Sequence, residues 1–200
     1  MNFSYSKIFL LVWMVIFWIY YFLTYGKVEM KHEKSVKEKY GWNKWKYLDG
    51  ITFFLWVVFV LIYVFYPKGI EWIYKISFLD NNFFKILGMI IMCFSYLPLI
   101  MFTKSVGKSI EIGIAKGGKP ELITTGIYSY IRHPSYLGID LAVLGTFLII
   151  PNILTLALLL FVIVALYGLT IGEEKILLKM YGKEYEKYRK NVGRFLPKLK

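Results

Sequence analysis

The sequence has little of what a soluble domain, a disulfide scaffold or a zinc site requires. Only 19% of its 200 residues are charged, and it contains one cysteine and two histidines. The single cysteine, Cys93, cannot form an internal disulfide. One cysteine and two histidines are also a poor basis for a His/Cys zinc site, so no metal is expected. Soluble domains carry about 25% charged residues, which argues against a soluble globular chain.

The sequence is instead rich in apolar and aromatic residues. Hydrophobic residues make up 58% and aromatic residues 20%, and the mean hydropathy is +0.53. This composition indicates an integral membrane protein. The formal net charge of +12 is expected from membrane topology and from attraction to anionic membrane lipids. Nucleic-acid binding is the alternative explanation, and we do not expect a nucleic-acid partner for so apolar a chain.

Five apolar segments predict membrane helices, since about 20 helical residues cross a hydrocarbon core of about 30 Å. The segments are Ile8–Tyr25, Ile51–Tyr66, Phe83–Phe102, Leu137–Ile150 and Ile153–Ile171. The fourth is short, and the turn Pro151-Asn152 joins it to the fifth as a tight hairpin. We therefore predict an all-α integral membrane protein with about five transmembrane helices. Residues 1–102 form an N-terminal three-helix membrane region, and residues 103–200 form a catalytic region.

Lysine and arginine predict the orientation of the chain. Twenty-one of the 25 basic residues lie on one side of the predicted membrane and four on the other. Because positive residues are retained in the cytoplasm, the N-terminus is expected outside and the C-terminus inside. The active site, which belongs to the C-terminal half, is then expected to be cytoplasmic.

The first polar stretch whose residues could take part in a reaction ends in the sequence RHPSY. Pro134 disfavours helical geometry at His133 and suits the first turn of the following helix. His133 is therefore expected just outside a helix N-terminus, with Tyr136 nearby and Asp140 further along the helix. A carboxylate at that depth is costly and faces protein or a wet cavity. An ordinary membrane-entry loop, with a structural hydrogen bond to Asp140, is the alternative.

The second polar stretch begins with Glu173-Glu174, just after the fifth segment. Apolar and aromatic residues follow at helical spacing, namely Leu177, Tyr181, Tyr185, Tyr188 and Val192. They predict a C-terminal amphipathic cytoplasmic helix, which Gly182 interrupts. This helix either lies on the membrane or folds over a cavity, with its tyrosines covering a ligand. An acidic pair at the membrane edge is explained by a cationic ligand.

These stretches together resemble the isoprenylcysteine carboxyl methyltransferase family, which is related to the phospholipid methyltransferases. The matching motifs are LITTGIY (Leu122–Tyr128), RHPSY (Arg132–Tyr136), the glutamate pair and GKEYEKYRKNVGRFLP (Gly182–Pro197). The resemblance implies a membrane methyltransferase that uses S-adenosyl-L-methionine. By position, the implied cofactor contacts are Leu122, Ile123, Tyr128, His133, Pro134, Ser135, Tyr136, Glu173 and Glu174.

The expected chemistry follows from the charge of that cofactor. A glutamate of the pair can bind its amino group, and tyrosine faces can stabilise its sulfonium. The candidate catalytic residues are His133, Tyr136, Glu174 and Asp140, with Asp140 or His133 as the base for an amine substrate. The substrate is expected to be lipophilic and to enter from the bilayer. Isoprenylcysteine carboxylates, other lipid carboxylates, thiols and amines remain open, because Leu169 replaces an arginine that prenylcysteine-specific members place before the glutamate pair.

Two other functions are compatible with the same sequence. One is an NADPH-dependent membrane reductase of the sterol-reductase type, whose C-terminal half is similar. It requires a larger basic and polar pocket for the nucleotide phosphate. The other is a non-catalytic membrane lipid-binding or scaffold protein, which needs none of the polar residues described above.

Overall fold

The computed structural model describes residues 4–28, 30, 46–70, 73–115 and 121–198. These residues form helices, short turns and two isolated β-bridges. The helices are α1 (Tyr5–Tyr20), α2 (Lys46–Phe65), α3 (Asn82–Phe94), α4 (Tyr96–Ala115), α5 (Pro134–Ile149), α6 (Ile153–Tyr181) and α7 (Lys183–Asn191). A π-helical turn, Tyr21–Tyr25, continues α1, and 3₁₀ turns occur at Pro67–Ile70 and Gly126–Ser129. The predicted all-helical architecture is confirmed for the described residues.

Three stretches of helix are long and apolar enough to cross a membrane. They are Tyr5–Val28, Asn82–Ser109 and Ile153–Tyr181, with lengths of 24, 28 and 29 residues. Gly50–Phe65 and Pro134–Ile149 are shorter apolar helices. The stretch between the first two apolar segments, residues 26–50, lies largely outside the described residues.

Two helices extend further than their apolar segments predict. Helix α4 continues through the polar residues after Phe102 to Ala115, and α6 continues ten residues beyond Ile171. Helix α6 therefore carries Glu173 and Glu174 within its length. The extension of α6 has a local cause, since glutamate, lysine, leucine and methionine all favour helix.

The chain divides into two compact units, each assembled from three stretches. The first comprises Met1–Ile19, Trp45–Ser95 and Ile139–Tyr167, and the second Tyr20–Lys44, Tyr96–Gly138 and Gly168–Lys200. This division passes between α3 and α4. The predicted boundary at residues 102 and 103 falls inside α4 and stays a prediction.

In the first unit, two glycines allow α3 and α5 to pack closely. A Cβ atom added to Gly88 would lie 2.6 Å from the carbonyl oxygen of Gly145. Buried indole groups satisfy polar atoms nearby: Trp13 Nε1 donates to the Met92 carbonyl at 3.0 Å, and Trp56 Nε1 donates to Thr146 Oγ1 at 3.0 Å. Small residues and side-chain hydrogen bonds are the usual means of packing helices in a membrane.

In the second unit, Gly182 separates α6 from α7. Its φ of 55° lies in the left-handed region that glycine adopts without strain. Helix α7 then buries Tyr185 and Tyr188, which pack with Val192 against Leu122 and other partly buried apolar residues. The predicted interruption at Gly182 thus becomes the turn that brings the tyrosines of α7 back over the loop before α5.

Candidate active site

The second unit contains a partly open pocket, which we call the donor pocket. The space between its lining atoms amounts to about 770 Å³, which includes open solvent at the mouth. Its walls come from α4, the loop before α5, the C-terminal half of α6, and α7. The lining residues are Phe102, Val106, Ser109, Glu121, Leu122, Ile123, Tyr128, Arg132, His133, Pro134, Ser135, Tyr136, Glu173, Leu177, Tyr181, Tyr185 and Tyr188.

The loop that carries His133 is held by the C-terminal segment of the chain. Helix α5 begins at Pro134, so His133 lies immediately before its first turn, as the proline predicts. The backbone N–H of His133 donates to the Arg194 carbonyl at 3.1 Å, and that of Arg132 donates to the Gly193 carbonyl at 2.9 Å. A parallel β-bridge between Ile131 and Gly193 completes this attachment.

The two adjacent glutamates have different surroundings. Glu174 is 8% exposed and accepts hydrogen bonds from Arg132 Nη2 at 2.7 Å and from Arg194 Nη2 at 3.0 Å. It does not line the donor pocket. Glu173 is 32% exposed and lines the pocket. Successive helical residues point about 100° apart, which explains how one carboxylate faces the arginines and the other the pocket.

His133 lies between both carboxylates. Its Nδ1 is 3.4 Å from Glu173 Oε2, and its Nε2 is 3.3 Å from Glu174 Oε1. The imidazole is 5% exposed and stacks on the Tyr136 ring at a centroid distance of 5.8 Å. Burial lowers the pKa of His133, but the two carboxylates outweigh it and raise the pKa above its ordinary value. The arrangement favours the imidazolium form.

Tyrosine side chains form much of the remaining wall. The Tyr136 hydroxyl donates to Glu173 Oε1, and the Tyr188 hydroxyl donates to the Tyr128 carbonyl at 2.7 Å. The Tyr185 hydroxyl is buried, without a well-oriented hydrogen-bond partner among the described residues. Burial raises the pKa of both Tyr185 and Tyr188, so both stay neutral phenols.

The structure brings together most of the residues proposed from sequence. Eight of them line the donor pocket, namely Leu122, Ile123, Tyr128, His133, Pro134, Ser135, Tyr136 and Glu173. Glu174 lies at the ion cluster with the arginines. Asp140 belongs to the first unit and does not line the pocket. Its Oδ1 is buried without a hydrogen-bond partner in the described part of the chain.

Sequence reasoning missed the part played by arginine. Arg132 was noted only as part of a motif, yet its guanidinium also donates to the carbonyls of Arg189 and Val192. Arg194 likewise appears only within the motif Gly182–Pro197, although its Nε donates to Glu174 at 3.1 Å. No spacing rule links residues 20 and 42 positions apart, so no local signal identified this cluster. Nowhere in the described ranges do three or more His, Cys, Asp or Glu residues form a group suited to a metal ion.

Comparison with known proteins places these features in a family. The family model described as phospholipid methyltransferase matches residues 83–184, about half of the chain. The protein-S-isoprenylcysteine O-methyltransferase of Schizosaccharomyces pombe is 39% identical over 77 residues, covering 38% of this chain and 33% of that protein. The Homo sapiens protein of the same name is 29% identical over 150 residues, covering 72% of this chain and 49% of that protein.

A third relative bears a different name. The methanethiol S-methyltransferase of Pseudomonas deceptionensis is 36% identical over 77 residues, covering 37% of this chain and 28% of that protein. The chain thus spans between about a quarter and a half of the length of these relatives.

The apolar helices are those of a helical membrane protein, and the polar, tyrosine-walled pocket is its candidate active site. Its family follows from the match over residues 83–184: the chain belongs to the phospholipid methyltransferase family. The predicted relation to the isoprenylcysteine carboxyl methyltransferases is confirmed by the similar relatives.

Proposed function

We propose that the chain is an S-adenosyl-L-methionine-dependent methyltransferase that acts on a lipophilic substrate in the membrane. The observation that carries this proposal is the accessible carboxylate of Glu173 in a pocket walled by tyrosines. A methyl donor of this type carries a sulfonium cation and an α-amino group. A carboxylate and aromatic faces are the groups expected to bind such charges.

The donor pocket fits this cofactor in the chemistry of its walls. Arg132 and Arg194 pair with Glu174, whereas Glu173 lines the pocket wall and accepts a hydrogen bond from Tyr136 there. The wall also has an apolar part, which includes Leu122, Ile123 and Leu177 and suits the uncharged portions of a nucleoside.

The residues that would hold the cofactor have separate tasks. Glu173 binds the amino group, and Tyr128, Tyr136 and the tyrosines of α7 surround the positive charge. Leu122 and Ile123 contribute largely through their backbone, and Pro134 and Ser135 through the first turn of α5. Bound there, the cofactor supplies an electrophilic methyl group for in-line displacement, a reaction in which positioning does most of the work.

Proton handling depends on the substrate. Both ring nitrogens of His133 face carboxylates, so we assign His133 and Tyr136 to orienting Glu173. Glu174 fixes His133 from the other side. A carboxylate or thiolate substrate is already nucleophilic, whereas an amine must first lose a proton. Asp140, which the sequence offered as a base for an amine, does not line the donor pocket, so we assign no base for that substrate.

The substrate class is proposed from the relatives and from one residue. The names of the relatives specify an isoprenylcysteine carboxylate or a small thiol. Leu169 occupies the position of the carboxylate-binding arginine expected of prenylcysteine-specific members, and its side chain is fully buried. This favours lipophilic thiols and amines over a prenylcysteine carboxylate, with the substrate entering from the bilayer.

The membrane arrangement is part of the same proposal. Three helices are long and apolar enough to cross a membrane, and we propose that the two shorter apolar helices, α2 and α5, are the fourth and fifth transmembrane helices. Helices α5 and α6 form the hairpin, and α7 is the C-terminal cytoplasmic helix. The distribution of lysine and arginine puts the N-terminus outside and the donor pocket in the cytoplasm.

Calorimetry on the purified protein in detergent tests the cofactor. We expect S-adenosylhomocysteine to bind with a micromolar Kd, which corresponds to a binding free energy on the order of −8 kcal/mol. We expect no heat of binding with NADPH. Membership of the phospholipid methyltransferase family favours the methyl donor over the nicotinamide. Binding of NADPH alone by monodisperse protein would refute the proposal in favour of a reductase, and binding of neither would favour a non-catalytic protein.

A labelling experiment tests the substrate. Membranes containing the protein are incubated with a methyl-labelled donor, and lipid extracts are searched by mass spectrometry for a labelled product. We expect one lipophilic product that is absent from membranes containing Glu173→Gln. A labelled prenylcysteine ester would show that the substrate preference inferred from Leu169 is wrong.

A further inference from the structure

The first unit contains a second cavity, which shares no lining residue with the donor pocket. The space between its lining atoms amounts to about 670 Å³, which includes open solvent at the mouth. We call it the lysine pocket, and its lining residues are Tyr63, Pro67, Ile70, Ile73, Lys75, Asp80, Lys85, Ile149, Ile150, Pro151 and Asn152. Nothing in the proposed methyl transfer uses this cavity.

Positive charge is concentrated around the lysine pocket. Lys85 pairs with Asp80 at 2.7 Å, which leaves Lys75 as a wall residue without an ion-pair partner in the described part of the chain. Lys7 lies over the ring of Tyr63, with its Nζ 5.5 Å from the ring centroid. Lys68 belongs to the turn Pro67–Ile70 at the same wall. Lys7 and Lys68, together with Lys75 and Lys85, are the four basic residues that the sequence predicts on the non-cytoplasmic side of the membrane. The positive-inside rule gives no reason for basic residues to cluster on that side.

Backbone hydrogen bonds hold the pocket walls together. The N–H of Ile76 donates to the Pro151 carbonyl at 2.8 Å, and the N–H of Ile153 donates to the Tyr74 carbonyl at 3.1 Å. A β-bridge joins Lys75 to Asn152 between these two bonds. The loop that carries Lys75 is therefore fixed against the turn between α5 and α6, and the ammonium group is presented from an ordered backbone.

Aromatic side chains near the lysine pocket indicate its depth in the membrane. Tyr66, Tyr74, Phe78 and Phe83 are 66–75% exposed. They flank the lining residues in sequence, and exposed aromatic residues at the ends of apolar helices are typical of the membrane–water interface. Phospholipid phosphates lie at that level, and the exposed apolar residues of α1 and α3 offer a surface for acyl chains.

We propose that the lysine pocket binds the phosphate of an anionic phospholipid headgroup, with Lys75 as its main cationic contact and Lys85 as a second. The four lysines and Asp80 give this region a net positive charge, which favours a lipid of net negative charge over a zwitterionic one. Binding is non-covalent and does not depend on the methyltransferase proposal.

Native mass spectrometry of the intact protein with phosphatidylglycerol and with phosphatidylcholine tests this site. We expect wild-type protein to retain phosphatidylglycerol preferentially. Lys75→Gln should weaken its retention roughly fivefold, the effect of one lysine near a membrane surface. The matched control is Lys104→Gln, an exposed lysine of the second unit, which should behave as wild type. Equal retention by Lys75→Gln and the control would overturn the proposal.

A second variant reverses the sign of the effect. Asp80→Asn removes the negative charge but keeps the side-chain size, and it should strengthen phosphatidylglycerol retention. Weaker retention in Asp80→Asn would show that the pair with Lys85 only holds the loop, which contradicts the proposed charge recognition. Soluble glycerol phosphate at equal concentration should not displace the lipid, and full displacement would identify a site for a free phosphate instead.

Discussion

Glu173 and Glu174 are neighbours in the sequence, but apart from His133, which lies between them, their carboxylates have different partners. Glu174 is fixed by two arginines, whereas Glu173 meets Tyr136 and His133 at the pocket wall. We therefore expect the two glutamates to respond differently to the same substitution.

Glu173→Gln should lower the affinity for S-adenosylhomocysteine about 10- to 100-fold, the loss expected for one charge-assisted hydrogen bond. Its melting temperature should stay near that of wild type, because Glu173 is partly exposed. Glu186→Gln, which removes an exposed carboxylate of α7, is the control and should bind normally. Calorimetry measures the affinity, and wild-type affinity in Glu173→Gln would remove the residue from the cofactor site.

Arg194→Gln should destabilise the protein by about 1–3 kcal/mol, because Glu174 then loses a charge-assisted partner in a buried position. For a chain of this size, that loss corresponds to a fall of roughly 2–4 °C in melting temperature per kcal/mol. Arg194→Lys keeps the charge but not the planar guanidinium group, so its melting temperature should lie between those of wild type and Arg194→Gln. Thermal unfolding measures all three proteins, and identical melting curves would mean that Arg132 alone fixes Glu174.

His133 should make stability depend on pH. Its pKa in the folded protein is raised above the ordinary 6.5, so protonation favours the folded state. This contribution is fully present below pH 6.5, and it is lost as the pH rises through the raised pKa. The wild type should therefore lose stability relative to His133→Gln over that interval. Melting curves of both proteins between pH 5.5 and 9 measure the difference in stability. Because both proteins contain His32, its titration cancels in this difference. Parallel stability profiles for the two proteins would contradict the prediction.

At the scale of helices, the sequence predicted the apolar runs better than their ends. The third and fifth predicted segments end where charged residues begin, but helices α4 and α6 continue through these charged residues to Ala115 and Tyr181. Hydropathy reports where a helix can contact lipid, whereas backbone hydrogen bonding lets the helix continue into a polar environment. The continuation of α6 is what places Glu173, Leu177 and Tyr181 at one pocket.

The close contact between α3 and α5 predicts that adding a methyl group to a glycine at this contact lowers the stability of the protein. A Cβ at Gly88 would meet the Gly145 carbonyl at 2.6 Å, and one at Gly145 would meet Met92 Cγ at 2.5 Å. Gly88→Ala should therefore cost about 1–3 kcal/mol through overpacking. In α6, a Cβ at Gly168 meets nothing within 4 Å.

Gly168→Ala is the matched control for this helix contact. It should leave stability unchanged or raise it by up to about 1 kcal/mol, since alanine favours helix over glycine. Thermal unfolding in one detergent compares the two alanine variants. Equal melting temperatures would show that α3 and α5 separate without cost.

At the scale of the whole molecule, the orientation in the membrane can be measured directly. Reporter fusions at the C-terminus should be active when the reporter works in the cytoplasm and inactive when it requires export. The reason is that 21 of the 25 lysines and arginines lie on the side predicted to be cytoplasmic. A reporter inserted after Phe78, between α2 and α3, should show the reverse pattern. The same pattern at both positions would contradict the predicted number of crossings.

The membrane class, the positions of the apolar helices and the motif residues of the donor pocket could all be predicted from the sequence. Composition and hydropathy act locally, and RHPSY and the glutamate pair are short motifs whose neighbours along the chain already limit their geometry. The turn at Gly182 was predictable for the same reason, because glycine alone adopts a φ of 55° easily.

Only the tertiary structure decided which glutamate of the pair lines the donor pocket. Arg194 reaches Glu174 across 20 residues and Arg132 reaches it across 42, and no periodicity encodes such a pairing. The convergence of Lys75, Lys85 and Asp80 on one cavity was hidden for the same reason. Local sequence fixes the conformation of a segment, but attraction between charges depends on distance in space, which is known only after the segments have packed.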